Sequence, residues 1–311
     1  VQLKKGNKQM TNSKQKIESI YKATADRLLS EMELNGTDWL KPWSVELADI
    51  ARNPITGTEY SGSNVWTLMF AKMDHGFIRN EYLTFPQIKK AGNGDWSIKG
   101  QKSCAQIVRW ISSYNVDKKT GDKVFGKGMF PKIFNVWNVD QIEGYPAAEP
   151  KEKKQPLTNG EAVALAQNAF AANGAKVVYG GNVACFIPSR DQINMPSVED
   201  FDTGEAFAST GMHELTHWTG HSSRLDRDLK NRFGSKEYAF EELVAEFGAC
   251  FTCAAMGIEK QAIANHAKYL NSWKRCLATD PNAINKAITL AGKASKSILS
   301  NLDQTALDKA A

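Results

Sequence analysis

Three of the chain's five histidines fall within nine residues, in Met212-His213-Glu214-Leu215-Thr216-His217-Trp218-Thr219-Gly220-His221. His213 and His217 are four apart, so on a helix both imidazoles leave one face and can grip a single metal ion. Glu214 is rotated off that line, beside the ion rather than bound to it. There it can take a proton from a polarised water and hand it to a leaving amine. This spacing constrains the fold more than any other feature. Two ligands on one helix leave a metal half-held, so another segment must be packed against that helix to complete the set.

His221 is the nearest candidate for a third ligand. The metzincin pattern puts a glycine three residues after the second histidine and a third histidine three further on. Gly220 fits, but Ser223 stands where the histidine belongs. His221 also drifts off the metal face by about 40° per four-residue step. The stronger candidate lies in Glu241-Glu242-Leu243-Val244-Ala245-Glu246-Phe247-Gly248-Ala249, a helical segment with an apolar face and three carboxylates. Glu242 and Glu246 share a face, and in zincins with a glutamate ligand the first acid of such a pair binds the metal while the second orients a ligand histidine. Glu242 is therefore assigned as ligand and Glu246 as orienter, with Glu246 as the rival ligand and a solvated acidic face as the plain alternative. The ion is expected to be Zn2+, another divalent metal being the alternative. Ala184–Pro196 reads as an edge strand that could align a peptide. Tyr238, one turn before Glu242, and His221 are candidates to stabilise the developing oxyanion.

The 311 residues allow two domains. No apolar run reaches the roughly 18 residues a membrane helix needs. Residues 1–22 are polar and lysine-rich without a signal-like apolar core, so a cytoplasmic location and no membrane partner are expected. Five cysteines are sparse and odd in number, which suits reduced thiols. Cys250-x-x-Cys253 sits in an apolar helical run, lacks a second such pair, and reads as core rather than metal or redox chemistry. Residues 1–150 hold 21 Lys and Arg against 16 Asp and Glu, whereas the remainder is balanced. The whole excess of +5 thus lies in the N-terminal half, where an anionic partner would be sought.

The organisation expected is residues 1–14 disordered or tag-like, a domain over 15–145, a linker over 146–158 and a second domain over 159–311. The first begins with an amphipathic helix over 15–33, followed by short segments punctuated by Asn-Gly, Asn-Pro and Gly-Asp signals. Its clearest strands are 106–111 and 132–139. The linker, Pro146 to Pro156, is proline-rich, charged and poor in apolar residues. The second domain reads as helices over 159–172, 203–219, 235–255, 261–274 and 281–302, with one strand-like segment from Lys176 to Pro188. The fold class is α+β.

The run His-Glu-Leu-Thr-His-Trp-Thr-Gly-His with Arg224-Leu225, followed by Tyr238-Ala239-x-Glu241-Glu242-Leu243-Val244-Ala245-Glu246, resembles the ArdC-type antirestriction proteins of conjugative plasmids. The N-terminal half agrees, through Asn53-Pro54-Ile55-Thr56-Gly57-Thr58-x-Tyr60, Leu83-Thr84-Phe85-x-Gln87, Ile98-Lys99-Gly100-Gln101-Lys102 and Phe134-Asn135-Val136-Trp137-Asn138-Val139. The likeness covers roughly residues 15–300. It implies an N-terminal mixed α/β domain that binds single-stranded DNA, also found fused to plasmid primases, and a mainly helical zincin-like metalloprotease domain. The implied role is protection of incoming plasmid DNA from host restriction during conjugation, with a host restriction-modification protein as a further partner. A non-catalytic DNA-binding shield with a metal-stabilised scaffold and a primase-accessory protein are the alternatives.

Single-strand binders pair basic grooves with aromatic platforms. Arg52, Asn53, Thr56, Tyr60, Trp66, Lys89, Lys99, Lys102 and Arg109 are the candidates for that role, although for any one of them a core or solvated-surface position is the plainer explanation.

Overall fold

The protein is described from a computed structural model covering residues 2–36, 47, 49–116, 120, 123–147, 155–229, 235–261, 270–271, 273–275 and 280–303. The chain separates into two compact units. One comprises Val1–Thr24, Ala51–Tyr60 and Asn64–Glu149; the other Ala25–Ile50, Ser61–Ser63 and Pro150–Ala311. The break at Glu149/Pro150 falls inside the segment read as a linker, most of which lies outside the described residues. Two early segments nevertheless go with the C-terminal unit, a long-range arrangement no composition change marks. Ser63 illustrates it: its N–H donates to Asn285 Oδ1 at 3.2 Å.

Helix α1 runs Gln2–Asn35, so residues 1–14, expected to lack structure, are helical from Gln2 onward. Their few apolar residues hid a segment that simply extends the amphipathic helix behind it. The N-terminal unit continues with α2 (Ser63–His75, of which it takes all but Ser63), β1 (Tyr82–Thr84), α3 (Phe85–Gly92), β2 (Ala105–Val116) and β3 (Lys123–Asn138). The strands form an antiparallel sheet in the order β1-β3-β2. Both strands expected here are present, each longer at one end than its apolar core. Leu68, Tyr82, Ile107 and Val136 make the core between α2 and the sheet, and Leu83, Ile88, Val139 and Ile142 a second one under α3. Asn64 serves as an extra rung beside β2, its amide donating to the Val108 carbonyl at 2.8 Å and accepting from the Val108 N–H at 2.9 Å.

The C-terminal unit contains α4 (Asn159–Ala172), β4 (Lys176–Tyr179), β5 (Cys185–Ile187), β6 (Gln192–Met195), α5 (Gly204–Thr219), α6 (Lys236–Ala255) and α7 (Pro281–Leu299). Each helix starts where its sequence offers a cap: Thr158, Thr203, Ser235 and Asp280 side chains accept from the first-turn N–H groups. The single strand expected from Lys176 to Pro188 is two strands. Gly180 and Gly181, both at positive φ, turn the chain between them. β6 then inserts, parallel to β4 and antiparallel to β5, leaving β5 at an edge. The helix expected over 261–274 falls largely outside the described residues.

Two glycines set how closely α5 is gripped. A Cβ on Gly211 would lie 2.7 Å from Phe170 Cζ of α4, and one on Gly248 of α6 would lie 2.4 Å from Thr216 Cγ2. Both distances are too short for real atoms, so only glycine lets these helices approach this far. Cys250 and Cys253 are fully buried on α6 with free thiols, as the apolar run implied, and burial pushes the Cys253 thiol up to about 12.

Asp140 ties the loop before β1 to the end of β3, accepting from the Ile78 N–H (2.7 Å), the Arg79 N–H (3.0 Å) and Arg79 Nε (2.6 Å). Burial opposes its charge, but the Arg79 and Ile78 donors outweigh that and hold its carboxyl below the usual range. A depressed carboxyl stabilises the fold above the unfolded value of about 3.9, and that contribution fades as pH falls further. Melting temperatures measured from pH 6 to 3 should therefore fall less steeply below pH 4 in Asp140→Asn than in the wild type. Parallel curves would show that the loop does not depend on this charge.

Candidate metal centre

α5 carries His213, Glu214 and His217, and Gly248 lets α6 approach closely enough to set Glu242 opposite the two imidazoles. His213 Nε2 and His217 Nε2 are 3.1 Å apart. Glu242 Oε2 lies 3.6 Å from the former, and Oε1 3.5 Å from the latter. Ligands about 2.1 Å from a tetrahedral ion are separated by about 3.4 Å, so the three side chains form one face of such a site. Among the described residues they make the group able to hold a metal. His221 stands outside it, its Nδ1 2.8 Å from Ser223 Oγ.

Behind each histidine stands a carboxylate. Glu246 Oε2 is 3.2 Å from His213 Nδ1, the ring nitrogen other than the one that faces Glu242. Glu241 Oε1 is 3.1 Å from His217 Nδ1, a role the sequence reading did not give it. Both carboxylates are themselves countered. Lys260 Nζ, almost fully buried, is 3.1 Å from Glu246 Oε1. Arg227 donates to Glu241 from Nη2 at 2.8 Å and Nε at 3.0 Å, and to the Thr216 carbonyl at 2.7 Å, bracing the C-terminal turn of α5. The tandem acids at 241 and 242 were a usable signal for Glu241. Nothing local marks Arg227, in irregular chain, or Lys260, beyond the end of α6.

The charges fit a divalent cation. Glu214, Glu241, Glu242 and Glu246 act on the histidines, against Arg227 and Lys260, leaving two formal negative charges. Burial opposes the charge on His217, but hydrogen bonds to Glu241 and Glu242 outweigh it and push its pKa up to about 10. His213 is raised in the same way, by Glu242 and Glu246, and Glu242 is correspondingly held far below the usual carboxylate range. A histidine raised this way stabilises the metal-free fold below about pH 6.5, and the contribution is lost as pH climbs through the folded value.

β5 flanks the site. It packs on α5, and burial together with the nearby Glu214 charge pushes the Cys185 thiol up. Tyr238 is half-buried in the first turn of α6, its N–H on the Ser235 cap.

The candidates in the N-terminal unit separate into groups. Arg52 is paired with Glu81 at 2.9 Å. Asn53 is buried and its Oδ1 accepts from the Ile55 and Thr56 N–H groups, so its side chain builds the turn that exposes Thr56. Tyr60 packs on the Tyr82 core and donates to the Tyr82 carbonyl. Trp66 is corrected: it is fully buried beside Phe70, where no base could reach its face. Lys102 and Arg109 are exposed. Lys89 and Lys99 converge on one cavity with Phe85, Trp96 and Trp137.

Glu241→Gln should weaken Mn(II) binding by about 10- to 100-fold, because the His217 ring loses the charge that orients it. Titration calorimetry in buffers of differing ionisation heat should also show proton release on binding at pH 7, since an imidazole whose pKa is raised must give up its proton to bind an ion. Unchanged affinity would remove Glu241 from the site.

Residues 18–137 match the N-terminal domain of anti-restriction factor ArdC, and residues 164–290 match the zincin-like metallopeptidase family. The chain is 33% identical over 291 residues to a DNA primase TraC of Escherichia coli, a match covering 88% of this chain but 26% of TraC. It thus spans about a quarter of the length of that relative. Two crystal structures of the antirestriction ArdC protein from plasmid R388 share its fold. The metal-free form has a TM-score of 0.68 at 32% identity, the Mn(II)-bound form 0.71 at 31%, and each match covers 90% of this chain and 97% of the other. With both units matched and nearly the full length of those structures covered, the chain belongs to the ArdC antirestriction family.

Proposed function

We propose that the C-terminal unit is a divalent-metal peptidase, and that the N-terminal unit binds single-stranded DNA, together protecting incoming plasmid DNA from host restriction during conjugation. The observation that carries the peptidase half is the triangle of His213, His217 and Glu242 with Glu214 on the next residue and an edge strand alongside. Support for the DNA half comes from family membership and from the concentration of positive charge in residues 1–150.

A divalent ion held by His213, His217 and Glu242 would supply Lewis acidity, polarising a scissile carbonyl and an attacking water. Zinc suits the ligand set, while a related structure holds Mn(II), and metal analysis of the purified protein decides between them. The unpaired edge of β5 would take an extended peptide by main-chain hydrogen bonds. Glu214 would accept the proton of the attacking water on its carboxylate and deliver it to the leaving amide nitrogen. Glu246 and Glu241 hold the imidazoles in orientation, and Tyr238, from the first turn of α6, is assigned to the oxyanion. A host restriction-modification protein is the substrate class that this role points to.

Glu214→Gln tests the reading, because it removes the proton carrier and spares all three ligands. Metal content should be unchanged, while cleavage of host proteins, followed by comparing proteomes with and without the protein, should fall by about 100-fold or more. If antirestriction survives this substitution undiminished, the protein acts as a DNA-binding shield and its metal centre as a scaffold.

A further inference from the structure

We propose that the cavity between Phe85, Trp96 and Trp137 is a nucleobase pocket, seating an unpaired base of single-stranded DNA while Lys89 and Lys99 hold the flanking phosphates. This rests on the single-strand reading above and goes beyond it by naming the site. The cavity measures about 480 Å³ and lies wholly within the N-terminal unit. That is within the usual range for small-ligand pockets and ample for a base with its sugar.

The local structure explains why the rings are presented rather than buried. α3 is short, with a capping box between Thr84 and Gln87 at its start. Ile88 is its inward anchor. Phe85 and Lys89, four apart, therefore share the outward face. Phe85 remains 52% exposed, a position at which an aromatic ring gains little from folding. Trp137 comes from β3, and its Nε1 donates to the Gln101 carbonyl, which fixes the indole against the cavity. Trp96 is pinned by Tyr145, ring centroids 4.8 Å apart, and by Gly92, where a Cβ would overlap its own.

The fourth wall is a tight turn. The Gln101 N–H donates to the Ile98 carbonyl at 2.9 Å, and Gly100 sits at φ +80°, the value a type II turn requires at its third residue. Lys99 occupies the exposed corner of that turn. The lining thus offers three aromatic rings and two ammonium groups, with no carboxylate among the residues that form it. Rings for stacking with cations at the rim is the chemistry that recognises an unpaired base on a phosphate backbone. A peptide or lipid ligand would not need both.

Binding of the full chain to a fluorescent oligothymidylate, followed by anisotropy, tests the pocket. Phe85→Leu, which keeps the apolar contact but removes the π face, should bind about 10-fold more weakly, and Phe85→Tyr should bind like the wild type. Lys99→Ala should reduce the slope of log affinity against log salt by about 0.7. An oligomer with abasic sugars should be bound more weakly by the wild type, with no further loss in Phe85→Leu. If the wild type binds and both Phe85→Leu and Lys99→Ala match it, the pocket is overturned while the single-strand reading stands. If the wild type binds no oligonucleotide, that reading falls, and the pocket with it.

Discussion

Burying charge is what the C-terminal unit is organised around. The carboxylates of Glu241, Glu242 and Glu246 and the His213 imidazole are buried, and an unmatched buried ion costs several kcal/mol. The helices can carry that load because each charge is answered in order: Lys260 by Glu246, Glu246 by His213, Arg227 by Glu241, Glu241 by His217. The two histidines and Glu242 then face one another, and with Glu214 acting on His213 the formal charge deficit is two. Remove one counter-ion and the deficit changes. The geometry of the ligand face and the electrostatics behind it are therefore one design, enforced by the contact of Gly248 with Thr216.

Much of this was legible because it was local. The histidine pair and Glu214 share one helix, as helical periodicity implies, and the two acids four apart both lie against imidazole nitrogens, Glu242 at the facing Nε2 atoms and Glu246 at Nδ1 of His213. The helix starts expected at 159, 203, 235 and 281 lie within a residue of those observed, each behind a capping side chain. What escaped was tertiary. Glu241 looked like one more acid on a helix until packing turned His217 toward it. Arg227 and Lys260 depend on where irregular segments fold back, which no periodicity encodes. The single strand from Lys176 to Pro188 failed for the opposite reason: the apolar texture continued, but Gly180-Gly181 reversed the chain.

The aromatic residues of the N-terminal half teach a related lesson. Trp66 and Trp137 look alike in sequence, each among apolar neighbours. One lies on α2 and is wholly enclosed; the other lies at the end of β3, beside a turn that leaves room at its face. Exposure of a large ring is set by what the next element fails to cover, so composition could point to the region but not to the residue. The same holds for Asn53, whose side chain is consumed by the turn it builds.

The allocation of Ala25–Ile50 and Ser61–Ser63 to the C-terminal unit bears on how such a protein can be inherited. A recombination breakpoint at the Glu149/Pro150 boundary would deliver a downstream half lacking two of its segments, and an upstream half burdened with them. Shuffling one unit without the other is thereby penalised, and the pair should travel as a single cassette. The alignment with TraC has that form: 88% of this chain, both units included, recurs as one block inside a much longer protein.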